Sequence, residues 1–257
     1  MQVESYLERV ELIAVGRTAE VFAMSAHRVL KLDRPDWNGI SDFEANIARS
    51  ANRAGLPVPE VFENVVVDGR HGIVLERIHG TALSQVLERD AKVNECAEQF
   101  VQLHEELQSY ELPGLPDLVP RLHDEIGRSG LAAEIQQNLQ DRLSVLADGA
   151  VSRLCHFDLH SDNIIVTNDR WVVIDWLTAA NGPPIADLAR TLLLRADSAS
   201  PVIASFTESV RRYSQERRGF DVDALRSWTP IVAAARLAEG FGGAYATWLT
   251  KIALTNE

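Results

Sequence analysis

The sequence lacks the features that define several classes of protein. Its 257 residues include only two cysteines, Cys96 and Cys155, which are too few for a disulfide framework and have no C-x-x-C spacing. This cysteine usage favours a reducing cytoplasm. The opening residues carry Glu4, Glu8 and Glu11, in place of the basic segment and apolar core of a secretory signal. No run approaches the roughly 20 apolar residues of a membrane span, so we expect a cytoplasmic protein with no membrane partner.

Basic charge is also scarce. The chain has 25 Lys and Arg against 37 Asp and Glu, a formal net charge of -12. Binding to a phosphate backbone needs a basic stripe, so we expect no nucleic-acid partner. The composition, 46% hydrophobic and 24% charged, is that of an ordinary globular protein and excludes general disorder. The length allows one large or two modest domains.

The first third of the chain has the pattern of a small sheet with one inserted helix. Ser41 and Asp42 are N-cap candidates for this helix, which should stop at Gly55 because Pro57 and Pro59 follow. Short β-branched runs between turn signals predict the strands. These strands are residues 9–15, 20–24, 28–32, 61–67 and 72–78.

After Gly80 the pattern changes to helices. Apolar residues recur near the 3.6-residue period, and the predicted helices cover residues 93–107, 131–146, a stretch beginning near 185, and 201–217. We therefore predict a bilobal α+β fold. Its parts are a small antiparallel sheet lobe with one helix at residues 1–77, a hinge at residues 78–80, and a larger, mainly helical lobe at residues 81–257.

The polar stretch HFDLHSDNIIV, residues 156–166, permits three interpretations. A hydrolytic triad through Ser161 lacks the G-x-S-x-G turn that usually frames such a nucleophile. A zinc site could use His156 and His160, which are four residues apart. However, the residues from Ile164 onward are strand-like, and the helix of an H-E-x-x-H motif is missing.

The third interpretation is a phosphoryl-transfer loop. Asp158 and Asn163 form a D-x-x-x-x-N pair with His156 two residues before the aspartate. In such loops the aspartate receives or orients the acceptor hydroxyl, and the asparagine coordinates Mg²⁺. A second metal ligand is available in Asp175, because residues 164–167 and 171–174 predict a hairpin that returns Asp175 to the end where Asn163 lies.

Several stretches together resemble the aminoglycoside phosphotransferase and choline kinase-like family, whose fold is similar to that of protein kinases. The resemblance covers residues from about 10 to 195. It rests on LCHFDLHSDNIIV, VVIDW and GPPIADLARTLLL, and on VGRTAEVFAMSAHRVLKL, FEANIARSANRAGLPVPEVF and GIVLERIHG.

The resemblance implies a role for each matching residue. Lys31 would contact the α- and β-phosphates and pair with Glu44, for which Asp42 is the competitor. The turn over the phosphates would contain Gly16, Arg17 and Thr18, and backbone groups of Glu76 and Ile78 would hold the adenine. Asp158 would be the catalytic residue, Asn163 and Asp175 the Mg²⁺ ligands, and His156 and Asp187 structural supports.

The resemblance also implies an activity, the transfer of the γ-phosphoryl group of ATP or GTP to a small-molecule hydroxyl group. Two acceptor classes remain open: an aminoglycoside, as in antibiotic resistance, or a metabolite such as choline, thiamine or a sugar. A catalytically silent nucleotide-binding regulator is the third possibility. The excess of acids is compatible with a cationic acceptor, for which Glu239 and Asp197 are candidate contacts.

Overall fold

The computed structural model describes Leu7 and residues 10–90, 92–196 and 198–255. The chain forms two compact units, Met1–Leu83 with Ser161–Thr178 and Ser84–His160 with Ala179–Glu257. The segment 161–178, which the predicted boundaries put in the C-terminal lobe, therefore groups with the N-terminal residues. The reason is strand pairing, described below.

The first unit contains a five-stranded antiparallel sheet with one helix. The strand order is β1-β2-β3-β5-β4, and one face of the sheet packs against helix α1. The elements are β1 Glu11–Val15, β2 Ala19–Ala23, β3 Arg28–Asp33, α1 Ile40–Arg53, β4 Val61–Val67 and β5 Arg70–Glu76. All five strands lie where the sequence predicts them, except that β5 begins and ends two residues before the predicted range of residues 72–78.

The N-terminus of α1 differs from the expectation. The residue preceding the helix is Gly39, in a left-handed conformation, and not Ser41 or Asp42. The cap is instead Asp33, whose Oδ2 accepts the backbone N–H groups of Gly39 at 2.8 Å and Ser41 at 3.1 Å. A carboxylate is well suited to this place, since the first N–H groups of a helix have no partner within it and carry partial positive charge.

A second, three-stranded sheet completes the first unit. Its order is β6-β8-β9, with β6 Thr81–Ala82, β8 Ile164–Val166 and β9 Trp171–Val173. Pairing of β6 with β8 binds the segment 161–178 to the residues that follow β5. Gly80 enters this sheet so closely that a Cβ atom there would lie 2.4 Å from the carbonyl oxygen of Val166. The close approach of the Val166 backbone thus requires a glycine at position 80.

The second unit is mainly helical and has one two-stranded sheet, β7 Arg153–Cys155 with β10 Ala180–Gly182. Its helices are α2 Leu83–Asp90, α3 Val93–Leu107, α4 Leu118–Gly127, α5 Ala133–Ala147, α6 Pro184–Arg195, α7 Pro201–Arg218, α8 Val222–Leu237 and α9 Gly243–Ala253. The core is centred on α8, whose segment from Ile231 to Ala235 is fully buried against α4, α5, α6 and α9.

The fold class predicted from the sequence, α+β with an antiparallel sheet portion and a mainly helical portion, is confirmed. Within the described part of the chain, no helix is both long enough and apolar enough to cross a bilayer.

Candidate active site

Lys31 lies at the centre of a buried ion cluster in the first unit. It projects from β3, and its ammonium Nζ lies 2.7 Å from Glu44 Oε2 on α1 and 3.1 Å from Asp175 Oδ1. Burial by itself would lower the pKa of Lys31, but the two carboxylates raise this pKa above its ordinary value. The lysine is therefore a fixed positive charge at neutral pH.

Glu44, and not its competitor Asp42, is the partner of Lys31. The Glu44 side chain is buried, and its Oε1 also accepts the backbone N–H of Trp176 at 3.3 Å. Asp42 is half exposed and instead accepts a hydrogen bond from Asn64 and contacts His71 Nδ1 at 3.0 Å. The two acids are separated by helix register, because residues two apart on a helix do not face the same side.

The hairpin β8–β9 brings Asn163 and Asp175 to one end, as the sequence predicts. Ile164 pairs with Val173, and one residue further the N–H of Ile174 donates to the carbonyl of Asn163 at 3.0 Å. The turn is closed by Thr167, whose Oγ1 accepts the N–H groups of Asp169 and Arg170.

The backbone of Asp175 has a left-handed conformation, which residues other than glycine rarely adopt. Its φ is +63°, which costs roughly 1 kcal/mol for a residue with a Cβ atom. The next residue, Trp176, fixes this conformation: its side chain is buried, and the indole Nε1–H donates to the carbonyl of Val173 at 2.9 Å. Strained residues of this kind cluster at functional sites.

Asp158 belongs to the second unit and follows a second strained residue, Phe157, whose φ is +61°. The N–H of Asp158 donates to Nδ1 of the fully buried His156 at 3.3 Å. His160 Nε2 lies 3.8 Å from Asp158 Oδ2. His156 is thus a hydrogen-bond acceptor within the loop, which fits the predicted structural support.

Asp187 is buried at the start of α6 and accepts three hydrogen bonds. Its Oδ1 accepts the N–H of Phe157 at 2.8 Å, and its Oδ2 accepts from His104 Nε2 at 2.9 Å and Gln108 Nε2 at 2.8 Å. Burial opposes ionisation, but His104, Gln108 and the Phe157 N–H together lower the pKa of Asp187 below its ordinary value. Asp187 therefore braces the loop as an ionised carboxylate.

The predicted nucleotide turn is a tight connection between β1 and β2. The N–H of Gly16 donates to the carbonyl of Ala19 at 2.8 Å, and the carbonyl of Thr18 accepts the N–H of Arg34 at 2.7 Å. The Arg17 guanidinium lies 5.7 Å from the ring centre of Trp37. At the end of β5, the N–H of Glu76 donates to the carbonyl of Glu60, and Ile78 follows two residues later.

Sequence reasoning missed several residues around the loop. His104 lies in the last turn of α3 and Gln108 directly follows the helix, and the available signal was a histidine on an otherwise apolar helix face. Arg190 was also missed, although it is an arginine inside the apolar run of α6 and is itself buried. Its partner is Glu239, which also accepts from Arg236 at 3.2 Å. The other candidate for an acceptor contact, Asp197, lies outside the described residues.

Among the residues that the structure describes, no three His, Cys, Asp or Glu side chains lie close enough together to hold a metal ion by themselves. A metal at Asp175 and Asn163 would consequently need further ligands from a substrate or from water.

Residues 9–228 match the model of APH, the phosphotransferase enzyme family. This match covers most of the chain. The chain belongs to this phosphotransferase family.

Solved structures of an aminoglycoside phosphotransferase and of a choline/ethanolamine kinase family protein have a similar fold. The phosphotransferase is similar to aminoglycoside phosphotransferase APH(4)-Ia, with a TM-score of 0.70 and 17% identity over 95% of this chain and 90% of that one. A thermostable mutant of APH(4)-Ia, in ternary complex with AMP-PNP and hygromycin B, gives 0.67 and 15% over 96% and 94%. A choline/ethanolamine kinase family protein from Mesorhizobium loti gives 0.66 and 19% over 96% and 88%.

These likenesses confirm the predicted kinase-like fold, and the match of residues 9–228 to the family model confirms the family that the sequence resembles. A comparison with curated proteins gives no significant match. The roles of the individual site residues stay predictions.

Proposed function

We propose that this phosphotransferase moves the γ-phosphoryl group of ATP or GTP to a hydroxyl group of a small molecule, with Mg²⁺ as its metal cofactor. The observation that carries the proposal is the double contact of Lys31 with Glu44 and Asp175. In phosphoryl transfer of the kinase type, a lysine fixed by a helix glutamate neutralises phosphate charge, and a nearby aspartate binds the metal.

The donor set at the end of the β8–β9 hairpin fits magnesium. Asp175 offers carboxylate oxygen and Asn163 amide oxygen, both of which are hard ligands suited to Mg²⁺. The Asp175 side chain is 40% exposed, so an entering ion can reach it. Mg²⁺ commonly takes one or two protein ligands and completes its shell with water and phosphate oxygens. When bound, the ion would supply positive charge to the transferring phosphoryl group.

Asp158 acts on the acceptor in this proposal. Its carboxylate orients the acceptor hydroxyl and takes its proton as the bond between the hydroxyl oxygen and the γ-phosphorus forms. The bond between that phosphorus and the β,γ-bridging oxygen breaks, and the nucleoside diphosphate leaves with the electron pair. Lys31 stabilises the negative charge on the phosphates during this step.

The remaining nucleotide contacts follow from backbone positions. The turn Gly16, Arg17 and Thr18 would cover the phosphates. The N–H of Glu76 is engaged by Glu60, so Glu76 would offer its carbonyl to the adenine or guanine base, and Ile78 its N–H. We place the reaction in the cytoplasm, since Cys96 and Cys155 are both free and buried, as expected in a reducing compartment.

An aminoglycoside is the first acceptor to test, because a similar fold is seen in complex with hygromycin B. Such an activity would confer antibiotic resistance. A metabolite alcohol is the second class, and the choline/ethanolamine kinase family neighbour makes choline its first member to test.

The proposal is tested by a phosphate-transfer screen with ATP and GTP over aminoglycosides, macrolides, choline, thiamine and sugars. We expect at least one compound to be phosphorylated with Mg²⁺ and none with EDTA, and we expect Asp158→Ala to abolish the transfer. Nucleotide binding without transfer to any compound would instead favour a regulator. Failure to bind either nucleotide would contradict both functions.

A further inference from the structure

Phe157 lies in the loop that carries Asp158 and has an unfavourable backbone conformation. Its left-handed backbone, with φ of +61°, is unfavourable for a bulky residue with a Cβ atom. Asp158 follows directly, so a relaxation of Phe157 would move the carboxylate. The surrounding structure must therefore hold the Phe157 conformation.

Helix α6 holds Phe157 at two points. Asp187 accepts the Phe157 N–H at 2.8 Å, and Arg190, three residues later on the same helix, lies with its guanidinium carbon 5.1 Å from the centre of the Phe157 ring. Residues three apart lie on one helix face, so a single face of α6 contacts both the backbone N–H and the ring of Phe157. The Phe157 ring also contacts Arg121, at 4.9 Å.

Burial of the charged Arg190 side chain costs free energy, so a space-filling role alone does not explain why an arginine occupies this position. Its side chain is 4% exposed and pairs with Glu239, which Arg236 also contacts. Well-packed apolar residues are often as stable as a buried ion pair. A leucine or methionine could fill the same volume, but neither would present a planar cation to an aromatic ring. Burial by itself would lower the pKa of Arg190, but the nearby carboxylates of Glu239 and Asp158 raise this pKa above its ordinary value.

We propose that Arg190 is a positioning residue for phosphoryl transfer: by stacking on Phe157 it fixes the left-handed backbone step that aims the Asp158 carboxylate. The proposal rests on the proposed function and adds a residue to it. Glu239 then serves to hold Arg190 in place.

The test separates catalysis from nucleotide binding. Wild type, Arg190→Met and the exposed control Arg226→Met are compared for kcat and for the dissociation constant of Mg·ATP or Mg·GTP, whichever nucleotide the wild type uses. Misplacement of a reacting group by about 1 Å can lower a rate by about 100-fold. We expect a loss of this order in kcat for Arg190→Met, with nucleotide affinity changed less than about twofold, because Lys31, Glu44 and Asp175 belong to the other unit.

A double-mutant cycle identifies Phe157 as the route of the effect. Glycine adopts the left-handed conformation without strain. In a Phe157→Gly background, Arg190→Met should therefore lower kcat by no more than about threefold. Equal losses in both backgrounds would overturn the proposal, as would an Arg190→Met rate within twofold of wild type.

Two further variants cover the case in which Arg190→Met does not fold. Arg190→Lys keeps the charge and loses the planar stacking, and Glu239→Gln loosens the guanidinium; each should lower kcat by roughly 10-fold with unchanged nucleotide affinity. Rates equal to wild type in both variants would overturn the proposal. A wild-type protein that binds nucleotide but transfers phosphate to no acceptor would refute the proposed function itself, and the positioning role with it.

Discussion

Lys31 illustrates how much the site depends on single residues. Its ammonium is the counter-charge of Glu44, a carboxylate with only 6% of its side chain exposed. We expect Lys31→Met to lower the free energy of unfolding by about 3 kcal/mol, because removal of one partner leaves a buried charge uncompensated. Chemical denaturation measures this change, and phosphate transfer should be lost in the same variant.

The control for this prediction removes both charges. Lys31→Met combined with Glu44→Leu should regain at least about 1 kcal/mol over the single variant, since replacing a buried ion pair by apolar residues is often neutral. Transfer should stay absent. A single variant as stable as wild type would show that Glu44 needs no counter-charge.

Asp187 gives a prediction on pH. Its folded-state pKa lies below the ordinary value of 3.8, so ionisation of this carboxylate stabilises the fold above pH 3.8, and the contribution is lost as the pH falls through the folded pKa. We expect Asp187→Asn to lower the free energy of unfolding at pH 7 by about 3 kcal/mol, because two or three hydrogen bonds to a charge are weakened.

The difference in free energy of unfolding between wild type and Asp187→Asn should shrink as the pH falls below 3.8. Urea denaturation at a series of pH values measures it, and the other acids of the chain, common to both proteins, cancel. A difference that grows with acidification would mean that Asp187 is protonated in the fold.

At the scale of elements, α1 carries Glu44, and its start is fixed by the cap from Asp33. We expect Asp33→Ala to lower the free energy of unfolding by about 2 kcal/mol, at the upper end for loss of a helix cap, because Asp33 is buried and accepts two N–H groups and the Ser41 hydroxyl. Thermal or chemical denaturation tests this. Asp36→Ala, in the exposed turn just before α1, should change stability by less than about 0.5 kcal/mol.

The cap of α1 also marks a limit of prediction from sequence. The existence of the helix was predicted from the N-cap candidates before it and from Gly55, Pro57 and Pro59 after it, which are local signals. The position of its first residue depends on Asp33, which lies at the end of β3, six residues before Gly39, and accepts the Gly39 N–H. A contact of this kind is tertiary and leaves no pattern in the nearby sequence.

Some of the helices were likewise predictable from local signals, and others were not. Both ends of α3 and α7 and the start of α6 were predicted to within one residue, because their apolar positions recur at the helical period. Helix α4, which Asp117 caps through the N–H of Val119, was not among the predicted helices. Pro230 lies inside α8, next to the fully buried segment from Ile231 to Ala235, so tertiary packing outweighs the local preference.

At the scale of the whole molecule, the order of elements was predictable and their grouping was not. The hairpin 164–173 was evident from its turn residues, Asn168 and Asp169. The hairpin belongs to the first unit because Thr81 and Ala82 pair with β8. These two residues form a strand that is too short to be predicted from the sequence. For the site, motif spacing indicated Asn163 and Asp175, and the family resemblance indicated Lys31 and Glu44. The roles of buried partners such as Arg190 and His104 could not be predicted from the sequence, because packing between helices decides which side chains meet.

The central claim is that the end of the β8–β9 hairpin holds the metal of a phosphoryl-transfer site. The most direct measurement is the Mg²⁺-dependent rate of γ-phosphoryl transfer by wild type and by Asp175→Asn, with Asp169→Asn as a matched control in the exposed turn of the same hairpin. We predict that Asp175→Asn lowers the rate by at least about 1000-fold, since loss of the metal carboxylate removes charge stabilisation from the transition state, while Asp169→Asn transfers at the wild-type rate. An Asp175→Asn variant that transfers phosphate as fast as wild type would contradict the claim.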